Sequence, residues 1–277
     1  MKVREIMTDM VISVKIPGSR ADAIKKILKE NISCLPVVKR GTKELIGIVT
    51  REDFARNPEE EQLALLMTRD VKTISPEADI REAVEIFSCG EFRRLPVVEN
   101  SELVGLITVS DIVWRYISKL GLTYPVEKYM ASKITSIWEK TPLKVTYEIM
   151  HLSGERAIPI LNDEGKFTGI IGDTDLLKVL EVSESTVKSE LSGGTEGDKW
   201  GWDTKNIIYI TKKRLEFPDK VVKDIMVEKV VIVRKKTAIS EAAKRMAKNR
   251  IEQIPVINAE GDLIGIVRDS DMIQALL

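Results

Sequence analysis

The chain has 277 residues, more than one ordinary domain, and 43% of them are hydrophobic, enough for real cores. Lys plus Arg balances Asp plus Glu at 43 each, so no net charge draws the chain toward nucleic acid or an acidic membrane. Cys34 and Cys89 form no CxxC or disulfide framework, MKVREIM has no leader character and no apolar run has membrane-spanning length, so a cytoplasmic protein is expected.

The first segment, Val3 to about Phe54, reads β-α-β-β-α. Val11 to Val14 is a short strand, broken by Pro17-Gly18-Ser19. Ala23, Ile24, Ile27 and Leu28 recur at helical spacing, with Lys25, Lys26 and Lys29 facing out. CLPVV and LIGIVT then form a hairpin around Gly41, and a helix starts near Asp53. The second segment, Leu66 to about Ser118, repeats this order, with Asp79 and Glu82 resembling a capping box. The third runs from Val126 to about Val182, with Thr141 as cap and Pro142 as first helical residue. The fourth runs from Val222 to Leu277. Between the last two lies an insert, about Ser183 to Asp219. Its polar, glycine-rich first half, SESTVKSELSGGTEGDK, is expected to be mobile. Its second half, with Trp200, Trp202, the strand-like NIIYIT and the basic Lys212 to Arg214, is expected to be ordered, as a surface hairpin or a partner-binding element.

The four segments are one repeat. CLPVV, RLPVV, AIPIL and QIPVI place prolines at Pro36, Pro96, Pro159 and Pro255. Each proline follows a methionine (Met7, Met67, Met130, Met226) by 29 residues. Each is followed by a glycine and, six residues on, an aspartate: Gly47 and Asp53, Gly105 and Asp111, Gly169 and Asp175, Gly265 and Asp271. One such unit cannot bury its sheet alone, so the units must pair.

The Met-to-Pro interval, the LPVV phrase and the Gly-apolar-apolar-Thr-x-x-Asp phrase resemble CBS domains, named after cystathionine β-synthase. The resemblance covers nearly the whole chain except the insert. It implies an α/β (α+β) fold of four β-α-β-β-α repeats, paired one with two and three with four, the two modules stacked as a disc. This is the arrangement of the gamma subunit of AMP-activated protein kinase and of stand-alone archaeal proteins. The expected division is 1–60, 61–122 and 123–182 for the first three repeats, 183–219 for the insert and 220–277 for the fourth.

The resemblance also implies an adenosyl ligand: AMP, ADP, ATP or S-adenosylmethionine. A carboxylate at a helix start can accept both hydroxyls of a ribose diol, and a nearby Thr or Ser can bond ribose or phosphate. Repeat two is complete in this respect, with Thr108, Ser110 and Asp111. Repeat one has Thr50 and Asp53 but Glu52 between them. Repeat three has Gly172 in place of the threonine, with Thr174 and Asp175 kept. Repeat four has Arg268 there, with Ser270 and Asp271 kept. Arg268 is read either as a phosphate contact or as a surface partner of Asp269. Arg93, Arg94 and Arg156, just before the LPVV-like phrases, are the expected phosphate cations, while Ser33-Cys34 and Glu252-Gln253 offer no such charge. The plain alternative is that each aspartate caps its helix and each arginine is solvated.

No enzyme is expected. His151 is the single histidine, read as a surface residue, and no metal cluster, P-loop or dinucleotide fingerprint is present. The expected function is a regulatory, energy-sensing type of adenosyl-ligand sensor acting on a protein partner, with a homodimer as an option. The alternative is an adaptor docking on an enzyme or ribonucleoprotein through the insert, the one route by which nucleic acid would be met.

Overall fold

Repeat one folds around one buried strand pair. β1 (Val14–Ile16) runs parallel to β2 (Cys34–Lys39), which is antiparallel to β3 (Leu45–Thr50). α1 (Arg20–Glu30) crosses between β1 and β2, burying Ala23 and Ile27, and α2 (Arg51–Arg56) follows β3. The computed structural model describes the chain except residues 31, 58, 91, 180 and 192–205, and only the backbone of 52, 55, 177, 181–191 and 206–216. The first strand lies at Val14–Ile16, later than expected. Val14 is the buried residue, opposite Val37, whereas Val11 and Ile12 remain partly or fully exposed.

Repeat two opens with α3 (Leu63–Leu66) and α4 (Ile80–Ser88), where the Asp79 carboxylate accepts the Arg81 N–H (3.0 Å). β4 (Arg94–Glu99) and β5 (Glu102–Thr108) form its hairpin, and its first strand shrinks to a single parallel bridge, Ile74 to Val97. α5 (Val109–Ile112) continues through a π-helical turn, Val113–Ile117, into α6 (Ser118–Leu120). Repeat three has β6 (Ile137–Trp138), α7 (Leu143–Ser153), β7 (Ala157–Leu161), β8 (Phe167–Gly172) and α8 (Asp173–Lys178). α7 starts one residue later than expected. Pro142 is its extended cap (ψ 145°), and its backbone pairs with Val221.

The insert departs from expectation in its first half. β9 (Glu181–Leu191) and β10 (Asn206–Glu216) form an eleven-pair antiparallel ladder, from Glu181 opposite Glu216 to Leu191 opposite Asn206. The polar tract Ser183 to Leu191 is therefore strand. Thr186 and Val187 are β-branched, and the NIIYIT strand supplies its hydrogen-bonding edge. Gly193 to Lys199, Trp200 and Trp202 lie outside the described residues. Repeat four completes the chain with β11 (Val233–Arg234), α9 (Ile239–Asn249), β12 (Gln253–Ile257), β13 (Leu263–Arg268) and α10 (Asp269–Met272).

The constant intervals now have a physical cause. The segment opening each repeat lies on the hairpin of its pair partner. Thr8 bridges Leu106, Thr68 bridges Ile48, Ala131 bridges Ile266 and Val227 bridges Ile170. The methionine just before each bridge packs on the partner's glycine: Met7 on Gly105, Met67 on Gly47, Met130 on Gly265 and Met226 on Gly169. A Cβ at Gly47 would stand 2.6 Å from the Thr68 carbonyl oxygen, and one at Gly265 2.6 Å from that of Ala131. Glycine is thus required by close backbone approach, and repeats one with two and three with four exchange their opening segments.

The chain divides into two compact units. The first holds Met1–Ser132, Val231–Glu260 and Ile264–Leu277. Its larger core joins repeats two and four: Ile107, Ile112, Val113 and Ile117 cluster with Ala242, Ala243, Met246, Val267 and Met272. Ser240, on α9, donates to the Ile117 carbonyl (2.7 Å) and accepts the Leu122 N–H (2.8 Å). A smaller core around Leu35, Val37, Val49 and Leu63 serves repeat one. The second unit, Lys133–Val230 with Gly261–Leu263, is built on Ile158, Ile160, Ile171, Leu143 and Leu176.

Candidate functional site

Every repeat ends its hairpin with the same backbone event, a strand residue in the extended region that starts a helix carrying aspartate three residues on. In repeat one the Thr50 N–H and Thr50 Oγ1 both donate to Asp53 Oδ2 (2.8 Å each), and Thr50 Oγ1 accepts the Asp53 N–H (3.4 Å). In repeat two Thr108 N–H and Oγ1 donate to Asp111 Oδ2 (3.0 and 2.7 Å), and Thr108 Oγ1 accepts the Asp111 N–H (3.1 Å). Repeats three and four keep the backbone half only: Gly172 N–H to Asp175 Oδ2 (3.1 Å) and Arg268 N–H to Asp271 Oδ2 (2.9 Å). The capping reading is therefore right for one oxygen of each carboxylate; in repeats one and two that oxygen already accepts two hydrogen bonds, which leaves the other for a ribose.

The second oxygens differ. Asp53 is half-buried, and its Oδ1 makes no hydrogen bond or ion pair among the described residues. Asp111 is nearly closed off, at 8% exposure, and its Oδ1 faces Arg115 Nε at 3.4 Å. Burial pushes the Asp111 carboxyl above the usual range, against the pull of its Thr108 hydrogen bonds and of Arg115. The more complete motif is thus the less open one. Asp175 Oδ1 pairs with Lys178 (3.1 Å), and Thr174 is exposed, its N–H held by Asp173 Oδ1 (2.6 Å). Arg156 is exposed, and its carbonyl accepts the Asp173 N–H (3.0 Å). These residues lie in the second unit, apart from the repeat-one and repeat-two positions in chain division.

The arginines before LPVV go separate ways. Arg94 lies beside Cys34, its equivalent in repeat one. Burial raises the Cys34 thiol, and the Arg94 charge and hydrogen bond pull it back down. Arg94 makes no ion pair among the described residues. Arg93 is engaged through one nitrogen: its Nη2 donates to both oxygens of Asp269 (2.9 Å each) and to Glu252 Oε2 (3.1 Å). Ser110 Oγ joins them, donating to Asp269 Oδ2 (2.8 Å). The surface pairing of Arg268 with Asp269 is overturned, because Asp269 is completely buried and holds Arg93 instead. Ser270, half-buried, gives its N–H to Asp269 Oδ1 (2.7 Å).

Sequence reasoning missed Asp269, Glu252, Arg115 and Cys34. A signal existed for the second: Glu252 occupies in repeat four the place of Arg93 in repeat two, and opposite charges at matching places of internal repeats are candidates to meet. His151 is a surface residue, stacked on Tyr147 with ring centroids 6.3 Å apart. Among the described residues, no group of three His, Cys, Asp or Glu is placed to hold a metal, and no helix is long and apolar enough to cross a membrane.

The profile of the family described as "CBS domain" matches residues 3–60, 62–117, 126–182 and 222–277. The MJ1225 protein of Methanocaldococcus jannaschii is 25% identical over 264 residues, 87% of this chain and 86% of its own. Its crystal structure, described as a candidate archaeal homologue of g-AMPK, covers 100% of both chains with a TM-score of 0.74 at 20% identity. An uncharacterised conserved protein from Pyrococcus horikoshii also covers 100% of both, with a TM-score of 0.71 at 28% identity. The CBS domain pair of MJ0100, solved with 5′-methylthioadenosine and S-adenosyl-L-methionine, covers 40% of this chain and 96% of its own at 29% identity, with a TM-score of 0.38.

Proposed function

This chain belongs to the CBS domain family, and from that premise we propose that it is a regulatory, cytoplasmic sensor of an adenosyl ligand that acts on a protein partner. The ligand class is AMP, ADP, ATP or S-adenosylmethionine. One observation carries the reading: Asp53 has an uncommitted carboxylate oxygen at a helix start, in the same repeat pair as the Arg94 guanidinium, which has no ion pair among the described residues. A ribose diol offers two donors to such a carboxylate, and an α-phosphate suits such a guanidinium.

Titration calorimetry of adenosine, AMP, ATP and S-adenosylmethionine against wild type, Asp53→Ala, Asp111→Ala and Arg94→Ala tests it. Hydrogen bonds to a charged group are worth roughly 1.5–3 kcal/mol, so each aspartate variant should weaken binding by on the order of tenfold to a hundredfold. Arg94→Ala should hurt AMP and ATP more than adenosine. If folded wild type bound none of the four at millimolar ligand, the sensor reading would fall. The adaptor reading would replace it, supported by the eleven-pair hairpin of the insert. Under the sensor reading, deleting 183–217 leaves nucleotide binding intact and weakens partner capture.

A further inference from the structure

Glu252 stands three residues before Pro255 as Arg93 stands three before Pro96, and Asp269 follows β13 as Val109 follows β5. Repeat four therefore sets two carboxylates where repeat two has a guanidinium and a valine. The three charged side chains meet. Arg93 Nη2 lies 2.9 Å from both Asp269 oxygens and 3.1 Å from Glu252 Oε2. Ser110, which belongs to the repeat-two motif, donates to Asp269 Oδ2 at 2.8 Å and to Glu252 Oε1 at 3.4 Å. Arg93 and Ser110, two of the groups a phosphate would use at repeat two, are thereby committed to carboxylates, while Arg94 lies beside Cys34 of repeat one. Asp269 is fully buried and cannot swing away into water. A phosphate arriving at Arg93 would meet a guanidinium that already holds two carboxylates, Asp269 and Glu252, and like charges at that spacing repel strongly away from bulk water.

We infer that Glu252 and Asp269 are specificity-determining residues of the repeat-two position. They turn it toward an adenosyl ligand whose 5′ tail is neutral or cationic, a thioether or a sulfonium, and against nucleotide phosphates. This rests on the adenosyl reading above and assigns the tail chemistry within it. The repeat-one position, served by Asp53 and Arg94, lacks this acid pair and keeps its tolerance of phosphate.

The test uses the full chain, with 5′-methylthioadenosine, S-adenosylmethionine, AMP and ATP as probes in calorimetry. Asp53→Ala weakens repeat one, and Asp175→Ala with Asp271→Ala does the same for repeats three and four, so that repeat two dominates the signal. On that background 5′-methylthioadenosine should bind about tenfold or more tighter than AMP, and AMP tighter than ATP; a factor of ten corresponds to one modest repulsive contact. Adding Glu252→Gln should strengthen AMP by about tenfold while leaving 5′-methylthioadenosine unchanged, since it removes one charge and keeps the shape. The Glu252 side chain is 43% exposed, so this variant is not expected to unfold the protein. Glu252→Gln in the otherwise native chain gives the same readout without the aspartate changes: the AMP to 5′-methylthioadenosine affinity ratio must rise. AMP binding at repeat two as tightly as 5′-methylthioadenosine, or a ratio unmoved by Glu252→Gln, overturns the inference while leaving the adenosyl reading standing. Binding of none of the probes to wild type overturns both. A purely structural clasp would change the melting temperature in Glu252→Gln and leave the ratio untouched.

Discussion

A guanidinium held by a completely buried carboxylate is costly to remove, because the carboxylate stays behind. Arg93→Ala should destabilise the fold by about 3 kcal/mol, the low end for breaking a buried pair, since Arg93 keeps an exposed edge. Denaturant unfolding checks this, and Arg93→Ala combined with Asp269→Asn should recover part of the loss. Asp111 gives a pH signature. Its folded carboxyl is raised above the unfolded value, mainly by burial. In the window just above the ordinary carboxyl range the folded state therefore holds more proton than the unfolded one, and this contribution to stability falls as pH rises. Wild-type stability, relative to Asp111→Asn, should rise as pH is lowered through that window; a flat difference from pH 7 to pH 4 would refute the assignment. At this scale the sequence was informative about residue type and poor about partners. The Thr-x-x-Asp spacing correctly located the helix-start carboxylates, because three residues is the reach of a capping box. It could not reveal that Arg93 is spent on Asp269, which lies 176 positions away.

At the scale of elements the methionine–glycine contact is the recurring unit. Gly47→Ala and Gly265→Ala each drive a methyl to 2.6 Å from a backbone carbonyl, which has no rotamer to escape by. Each should cost about 1–3 kcal/mol, the usual range for overpacking. Gly41→Ala is the contrast: nothing lies within 4 Å, and its penalty comes from a φ of +88° alone. Thermal melts of the three variants would separate crowding from backbone strain. The repeat itself was fully legible, since equal intervals of apolar runs and glycines need no structure to see. The swap of opening segments was not, because an interval says that two residues are related without saying which copy each one touches. The strand Ser183 to Leu191 was hidden for another reason: its polar composition matches a loop, and only its pairing with the NIIYIT strand supplies the ladder.

For the molecule as a whole, the core that joins repeats two and four is the main organising fact of the first unit. A fragment ending at residue 122 would present Ile112, Val113, Trp114 and Ile117 to solvent without α9 and α10 to cover them. Such a fragment should associate with itself through this face, giving a concentration-dependent dimer by light scattering; a monomer at all concentrations would mean that the face is not adhesive. The resemblance implied which repeats pair, but not that repeat four's helix would finish repeat two's core. That depends on the small residues Ala242 and Ala243, which let α9 approach the π-helical turn closely and carry no motif of their own.

The exchanged opening segments also set a schedule for synthesis. Repeat one can close its sheet once Met67 has left the ribosome, 20 residues behind Gly47, but repeat three must wait for Met226, 57 residues behind Gly169. At typical elongation speeds of about 5–20 residues per second, that leaves the nascent third sheet uncovered for roughly 3–11 seconds while the insert is being translated. The long hairpin between repeats three and four is therefore made during the interval in which the growing chain is most open to trapping, and a slower codon run there would prolong its need for a chaperone.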